Sequence, residues 1–109
     1  MLSLANISCT SRAIDPRLAI PRTLLPICDT ATLLAIGSQY RIQVPMENDA
    51  TELAKLISED LNVQGDAFDI ALMSKVIRDY KEGKLEEING WFLSVTETRQ
   101  CALYSLLNS

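Results

Sequence analysis

The clearest pattern of hydrophobic and polar positions lies between residues 66 and 82. Asp66 is a residue type that caps a helix N-terminus, and Lys81 and Gly83 suit a helix C-terminus. Between these ends, apolar residues recur at helical spacing, at Phe68, Ile70, Leu72, Met73, Val76, Ile77 and Tyr80. Because this set is too wide to face one neighbour, we expect a helix over 66–82 that packs on more than one side at the centre of the core.

A second helix is predicted ahead of it, over 49–61. Asp49 and Glu52 stand three residues apart, as in a capping box. Apolar residues follow at helical spacing, at Ala50, Leu53, Ala54, Ile57 and Leu61. A short turn then joins this helix to the next.

The C-terminal part of the chain predicts two more helical segments. Ser94 and Glu97 form a second capping-box pattern at the start of a helix over 95–107. Residues 85–89 are expected to add one short turn of helix, which Asn89-Gly90 would end.

The segment from 29 to 45 has two interpretations. From Gln39 to Val44 apolar and polar residues alternate, which is typical of a half-buried strand. Residues 29–37 could form a short helix capped by Asp29 and stopped by Gly37, or the first strand of a hairpin that turns there. Because a strand needs a pairing partner, the hairpin is the favoured interpretation.

Residues 1–28 predict an extended, proline-containing arm. Pro16, Pro21 and Pro26 each remove a backbone donor and favour extended geometry in the preceding residue, so no long helix is expected. The arm is too apolar for a free linker. We expect it to wrap its own domain, with wrapping of a second copy or a partner as the alternative.

These elements predict a mainly α fold with minor β: a small bundle of three to four helices, an extended arm and one strand or β-hairpin. The 109 residues are expected to form one domain, with an arm (1–28), a strand or hairpin region (29–45) and a helical body (46–109). Hydrophobic residues make up 48% of the chain, yet no apolar run approaches the ~20 residues of a membrane span. The start of the chain has no basic stretch ahead of an apolar core, as a secretory signal would. A soluble, cytoplasmic protein with no membrane partner is expected.

The residue types narrow the possible chemistry. The chain contains no histidine, the commonest metal ligand and general base. Its cysteines, Cys9, Cys28 and Cys101, show no CxxC spacing, which is typical of reduced cytosolic thiols. The glycines are scattered and form no phosphate-binding loop. We therefore expect no cofactor, metal or catalytic site.

One segment imitates a calcium-binding loop. Asp60, Asn62 and Gly65 match the D-x-N-x-x-G opening of an EF-hand. The twelfth position of that loop supplies a bidentate glutamate, but here it is Ala71. Without its strongest ligand the site is not expected to bind calcium, and a capped turn between two helices is the favoured interpretation.

The net charge of −4 is unevenly distributed. Through Val44, four arginines face two aspartates, and from Pro45 onward six Lys/Arg face twelve Asp/Glu. An acidic body argues against a nucleic-acid partner, which requires a basic face. The weakly basic arm could instead contact the acidic body, within one chain or between two.

These observations favour a non-catalytic protein–protein interaction module, an adaptor or regulator that uses its N-terminal arm and nearby apolar surface. Its partner would be another protein or a second copy, so a homo-oligomer is expected. Trp91 and Phe92 are expected to plug the end of the bundle, with an aromatic anchor for a partner as the alternative. The alternative function is a small enzyme or ligand-binding domain with a pocket between arm and helices that uses Cys, Tyr, Arg and carboxylates. The candidate contact residues are Arg17, Leu18, Arg22, Leu24, Arg41, Trp91 and Phe92.

Overall fold

The structure is a computed structural model that describes residues 14–61 and 67–108. Within these ranges there are four α-helices and one antiparallel hairpin. Short 3-10 turns cover Pro16–Ala19 and Pro45–Glu47. The fold is mainly α with minor β, as predicted. The helices are α1 (Thr30–Gln43), α2 (Ala50–Ser58), α3 (Ala67–Glu82) and α4 (Val95–Leu107), and the hairpin strands are β1 (Leu85–Ile88) and β2 (Trp91–Ser94).

The centre of the fold is α4. It contacts α1, α2, α3, both strands and the first 3-10 turn. Cys101 and Ala102 of α4 are fully buried, and Gly37 of α1 packs directly against their backbone. The prediction that the helix over 66–82 is central was wrong, because one side of α3 faces solvent. Buried residues of α4 are Thr96, Glu97, Thr98, Gln100, Cys101, Ala102, Leu103 and Ser105.

Two of the predicted helix starts are confirmed by their caps. Ser94 and Glu97 make both hydrogen bonds of a capping box, so α4 begins at Val95. The Asp49 carboxylate accepts from the Glu52 backbone N–H at 3.0 Å and starts α2. The helix predicted over 66–82 corresponds to α3, whereas Asp66, its expected cap, lies outside the described residues.

The strand predicted from Gln39 to Val44 was wrong, and so was the hairpin favoured for this segment. Here the chain forms α1, whose first turn is capped by Asp29 through a 2.8 Å bond from the Thr32 N–H. The alternation misled because Ile42, a presumed inward residue, is 71% exposed. Gly37 neither stops the helix nor turns a hairpin, because it packs against the backbone of α4. The buried side of α1 has helical spacing, with Leu33, Ile36, Gly37 and Tyr40.

The short helix predicted over 85–89 was also wrong. Residues 85–94 form the hairpin, with Leu85 opposite Ser94 and Ile88 opposite Trp91. Its two-residue turn, Asn89-Gly90, has φ values of 52° and 89°. Positive φ at both positions is the geometry of a type I′ turn, which Asn-Gly favours. The dipeptide therefore connects two strands and does not terminate a helix.

The described part of the arm, residues 14–28, packs on its own chain. Leu18 and Leu24 are 4% and 2% exposed and belong to the same core as α1, α2 and α4. The Gln100 side chain of α4 donates to the Ile20 carbonyl at 3.1 Å and fixes the arm against the central helix. The segment thus packs on its own domain, which is the favoured interpretation, but its backbone forms a 3-10 turn at Pro16–Ala19 and further turns over 22–27 where extended geometry was predicted. Among the described residues, no helix combines the length and the apolar character needed to cross a membrane.

Candidate functional site

Two buried charged residues fix α3 against its neighbours. The Lys75 ammonium donates to the carbonyls of Leu56 and Ile57, each at 2.8 Å, and so satisfies the C-terminal end of α2. The Asp79 carboxylate accepts from the Thr96 backbone N–H at 2.8 Å, in the first turn of α4. Because these side chains point inward together with Phe68, Leu72 and Val76, this face of α3 is held firmly against the body.

The opposite face of α3 carries large apolar side chains in solvent. Ile70, Met73, Ile77 and Tyr80 are 71%, 45%, 49% and 44% exposed. They follow one another at i, i+3, i+7 and i+10, so they form a single row along the helix, which we name the α3 stripe. Single exposed apolar side chains are ordinary on protein surfaces, whereas contiguous apolar patches of several hundred Å² are often contact surfaces.

The C-terminal end of the α3 stripe is fixed by a buried carboxylate. The Tyr80 hydroxyl donates to Glu97 Oε1 at 2.6 Å, and the same oxygen accepts from the Ser94 backbone N–H at 3.0 Å. The Thr23 hydroxyl of the arm donates to the other oxygen of Glu97. Burial and the bond to Glu97 raise the pKa of Tyr80 to about 12, so this phenol remains a neutral donor. The Tyr80 ring is therefore held in place at the edge of the stripe.

The hairpin adjoins this end of the stripe and exposes more apolar surface. Ser94, which shares the Glu97 oxygen with Tyr80, pairs directly with Leu85. Leu85 and Phe92 lie on the same face of the hairpin and are 40% and 67% exposed. The other face packs on the core through Ile88 and Leu93. We call the α3 stripe together with Leu85 and Phe92 the apolar surface.

The two aromatic residues predicted to plug the bundle have different environments. Trp91 is partly buried on the core side of the hairpin and packs against the core cluster. Phe92 is on the solvent side, where it plugs nothing. Alternation along β2 sends these neighbours to opposite faces, so one packs on the core and the other faces solvent.

The arm residues predicted to bind a partner are already engaged within the chain. Leu18 and Leu24 are buried in the core and offer no surface in this conformation. Arg17 pairs with Asp15 at 2.8 Å, and its guanidinium lies 4.1 Å from the centroid of the Phe68 ring. The arm therefore presents less contact surface than its sequence indicates.

Two other predicted contact arginines lie in separate places. Arg22 lies 3.5 Å from Asp69, at the N-terminal end of α3 and beside Met73 of the stripe. Arg41 on α1 donates to the Asn48 side chain at 2.7 Å and to the Ser105 hydroxyl at 3.1 Å. Of the seven predicted residues, Arg22 and Phe92 are the two that the structure places beside or within the apolar surface.

Sequence reasoning missed the α3 stripe because it assigned every apolar residue of this helix to the core. A signal was present in the sequence. At helical spacing, Lys75 and Asp79 fall on the same face as the apolar residues Phe68 and Leu72. The four stripe residues form a second apolar row on another face of the helix. The sequence of the helix alone does not show that the row containing Lys75 and Asp79 is the buried one.

The cysteines of the described chain are unsuited to nucleophilic chemistry. Cys101 is fully buried, and desolvation raises the pKa of its thiol to about 12. Burial also raises the pKa of Cys28, and the neighbouring Asp29 adds to that shift. Among the described residues, a small pocket of about 20 Å³, the size of one water, lies between the arm and the helices at Arg22 and Gln100. A larger, open pocket of about 350 Å³ lies between the start of the arm and the helices, at Leu18 and Phe68. Neither described cysteine lines either pocket. Cys9 lies outside the described residues.

A partly buried triad of polar side chains, Tyr40, Glu47 and Arg99, joins three elements of the fold. Glu47 accepts from the Tyr40 hydroxyl at 2.7 Å and from two nitrogens of Arg99 at 2.9 and 3.1 Å. Burial raises the pKa of Glu47, but the bonds from Arg99 and Tyr40 outweigh it and hold the pKa below its usual value. Burial and the adjacent carboxylate raise the pKa of Tyr40. The triad ties the second 3-10 turn to α1 and α4.

Within the described ranges, no three His, Cys, Asp or Glu residues are grouped as metal ligands. Most of the EF-hand-like segment, residues 62–66, lies outside those ranges. Comparison with protein-family models, with curated proteins and with solved structures finds no match to this chain.

Proposed function

We propose that this chain is a non-catalytic protein-binding module, an adaptor or regulator, and that the apolar surface is its contact site. One observation carries the proposal: Ile70, Met73, Ile77 and Tyr80 are exposed in one row of a helix whose opposite face is fixed by Lys75 and Asp79. A rigid helix face that presents apolar side chains at this spacing is suited to packing against another helix.

The partner that fits best is an amphipathic helix of another protein. The stripe runs from Ile70 to Tyr80, and ten steps along the helix span about 15 Å. A standard interface buries about 800 Å² on each partner, which is more than one such helix face provides, so the partner would also cover Phe92 and Leu85. A net charge of −4 on each chain opposes the association of two copies and favours a neutral or basic partner. A second copy is the competing occupant.

Charge substitutions within the stripe test the proposal. Ile70→Glu and Ile77→Glu change exposed positions, so both variants should fold, which circular dichroism and urea unfolding would verify. Met46→Glu is the matched control, because Met46 is 90% exposed but lies outside the apolar surface. Partners are captured from an extract of the source organism with each full-length chain, and the affinity of a purified partner is then measured by calorimetry.

We expect the wild type and Met46→Glu to bind the same protein with similar affinity, and Ile77→Glu to weaken binding about 30-fold, as loss of a central contact does. Equal binding by all chains, or no specific partner for any of them, would refute the proposal. Light scattering identifies the alternative occupant. A wild-type mass of twice 12.1 kDa that reverts to one chain in Ile77→Glu would assign the surface to a second copy.

A further inference from the structure

A polar cleft lies on a different side of α3 from the stripe. It has a volume of about 310 Å³ and forms where the end of α2, the middle of α3 and the first turn of α4 meet. Four basic residues line it, out of ten in the whole chain: Lys75, Arg78, Lys84 and Arg99. Such a concentration of cations in a concave site of an acidic protein requires an explanation.

The floor of this cleft offers donors that the protein leaves unused. Lys75 is 7% exposed and gives two of its three N–H groups to carbonyls of α2. Thr96 is 1% exposed, and in the part of the chain that the structure describes its hydroxyl has no hydrogen-bond partner. Every fully buried side-chain nitrogen or oxygen in that part has a partner, so the Thr96 oxygen must keep its small exposed area, and Thr96 lines the cleft.

The rim supplies cations that can turn toward a ligand. Arg78 lies 3.5 Å from Asp60, and Lys84 lies 3.3 Å from Glu82, and these side chains are all about half exposed or more. Ion pairs of this kind contribute little, so either cation can exchange its partner at small cost. Arg99 differs because it holds Glu47 through two bonds, which balance its charge, so it is not counted among the cations that hold the ligand.

The cleft also contains carboxylates, which restrict what can bind. Glu59 and Asp60 stand at its edge, and Asp79 lies on its floor with one oxygen bound to the Thr96 N–H. Burial lowers the pKa of Lys75, and Asp60 and Glu59 only partly offset this, so an added anion would stabilise its ammonium. Because these acids repel any negative charge, the ligand should be small enough to stay close to the cations and should accept several hydrogen bonds at once.

We propose that this cleft binds a compact phosphate-class oxyanion, held by Lys75 and Thr96 on the floor and by Arg78 and Lys84 at the rim. The oxyanion is either free phosphate or the phosphoryl group of a small monoester. Charged donors at several angles around one tetrahedral anion are the arrangement that such groups require.

The test is a titration of the full-length, ¹⁵N-labelled protein at pH 7, followed by amide chemical shifts. Sodium phosphate and methyl phosphate are added in separate series, with sodium chloride keeping the ionic strength constant. We expect saturable shifts centred on Arg78, Lys84 and Thr96. Tighter binding of methyl phosphate would identify a monoester as the ligand, and tighter binding of phosphate would identify the free ion.

Substitutions distinguish specific oxyanion binding in the cleft from non-specific attraction of anions to surface cations. Arg78→Gln and Lys84→Gln should each weaken binding about tenfold, and Thr96→Val should weaken it while preserving shape and fold. Lys81→Gln is the matched control, because Lys81 is exposed on α3 but does not line the cleft, and it should bind like the wild type. Non-saturating shifts, or equal losses in Lys81→Gln and Lys84→Gln, would overturn the proposal. Neither result bears on the apolar surface, which has its own test.

Discussion

The close crossing of α1 and α4 at Gly37 leads to a sharp prediction. A Cβ atom added at Gly37 would lie 2.1 Å from the Cys101 carbonyl oxygen, 2.6 Å from its carbon and 3.0 Å from the Ala102 nitrogen. All three are backbone atoms of the central helix, so no side-chain rotation can relieve the overlap. In Gly37→Ala the two helices must separate by about 1 Å, since non-bonded carbon atoms prefer about 3.5–4.0 Å.

The size of the effect follows from two opposing terms. Overpacking a core costs about 1–3 kcal/mol, and a clash with rigid backbone belongs at the upper end. Replacing glycine by alanine inside a helix returns about 1 kcal/mol. We therefore expect Gly37→Ala to lower the free energy of unfolding by about 2 kcal/mol. For a chain of this size that corresponds to a fall in Tm of about 8–16 °C.

Urea unfolding followed by circular dichroism measures this change directly. Ser38→Ala is the matched control, because Ser38 is the exposed neighbour in the same helix and should gain a few tenths of a kcal/mol. A Gly37→Ala protein as stable as the wild type, or more stable, would refute the close crossing, because helix propensity would then be the only term acting.

Three further changes test other parts of the fold. Leu24→Ala removes a buried arm residue and should cost about 2–5 kcal/mol in urea unfolding, while Leu25→Ala, at a position 48% exposed, should cost far less; equal losses would remove the arm from the core. Gly90→Ala places a side chain at φ 89° with no clash, so it should cost about 1–2 kcal/mol of backbone strain, and an unchanged Tm would contradict the turn geometry. Because the folded pKa of Glu47 lies below its unfolded value of 4.5, its carboxylate stabilises the fold above that pH, and this contribution is lost as the pH falls through the folded pKa. Glu47→Gln should therefore be less stable at pH 7 and show a weaker loss of stability below about pH 4.5, and identical pH profiles would contradict this.

The elements that sequence predicted correctly are those whose signals are local. The Ser94–Glu97 capping box and the Asp49 cap fix where α4 and α2 begin, because each satisfies free N–H groups within its own first turn. Asn89-Gly90 was recognised as a break but assigned to the wrong element. A two-residue turn becomes a hairpin only when both flanking segments pair as strands.

The elements that sequence missed depend on neighbours distant in the chain. Tyr40, Ile42 and Val44 alternate like a strand, yet the chain is helical up to Gln43 because α4 offers α1 a complementary surface. Gly37, which resembled a stop or a turn, is in the interior of α1, where the absence of a side chain allows the backbone of Cys101 to approach. The intrinsic helix and strand preferences of these residues were too weak to decide between a helix and a strand. The packing of α1 against α4 decided in favour of the helix.

The candidate site also combines features that local sequence predicts with features that depend on residues distant in the chain. The sequence by itself predicted an amphipathic helix with apolar residues on more than one side, and this helix is α3, Ala67–Glu82. It could not determine that the face containing Lys75 and Asp79 is buried, because charged residues normally favour solvent. Only the tertiary structure places the ends of α2 and α4 beside these two charges, where free backbone groups satisfy them. That choice turns Ile70, Met73, Ile77 and Tyr80 outward and creates the surface that we propose as the contact site.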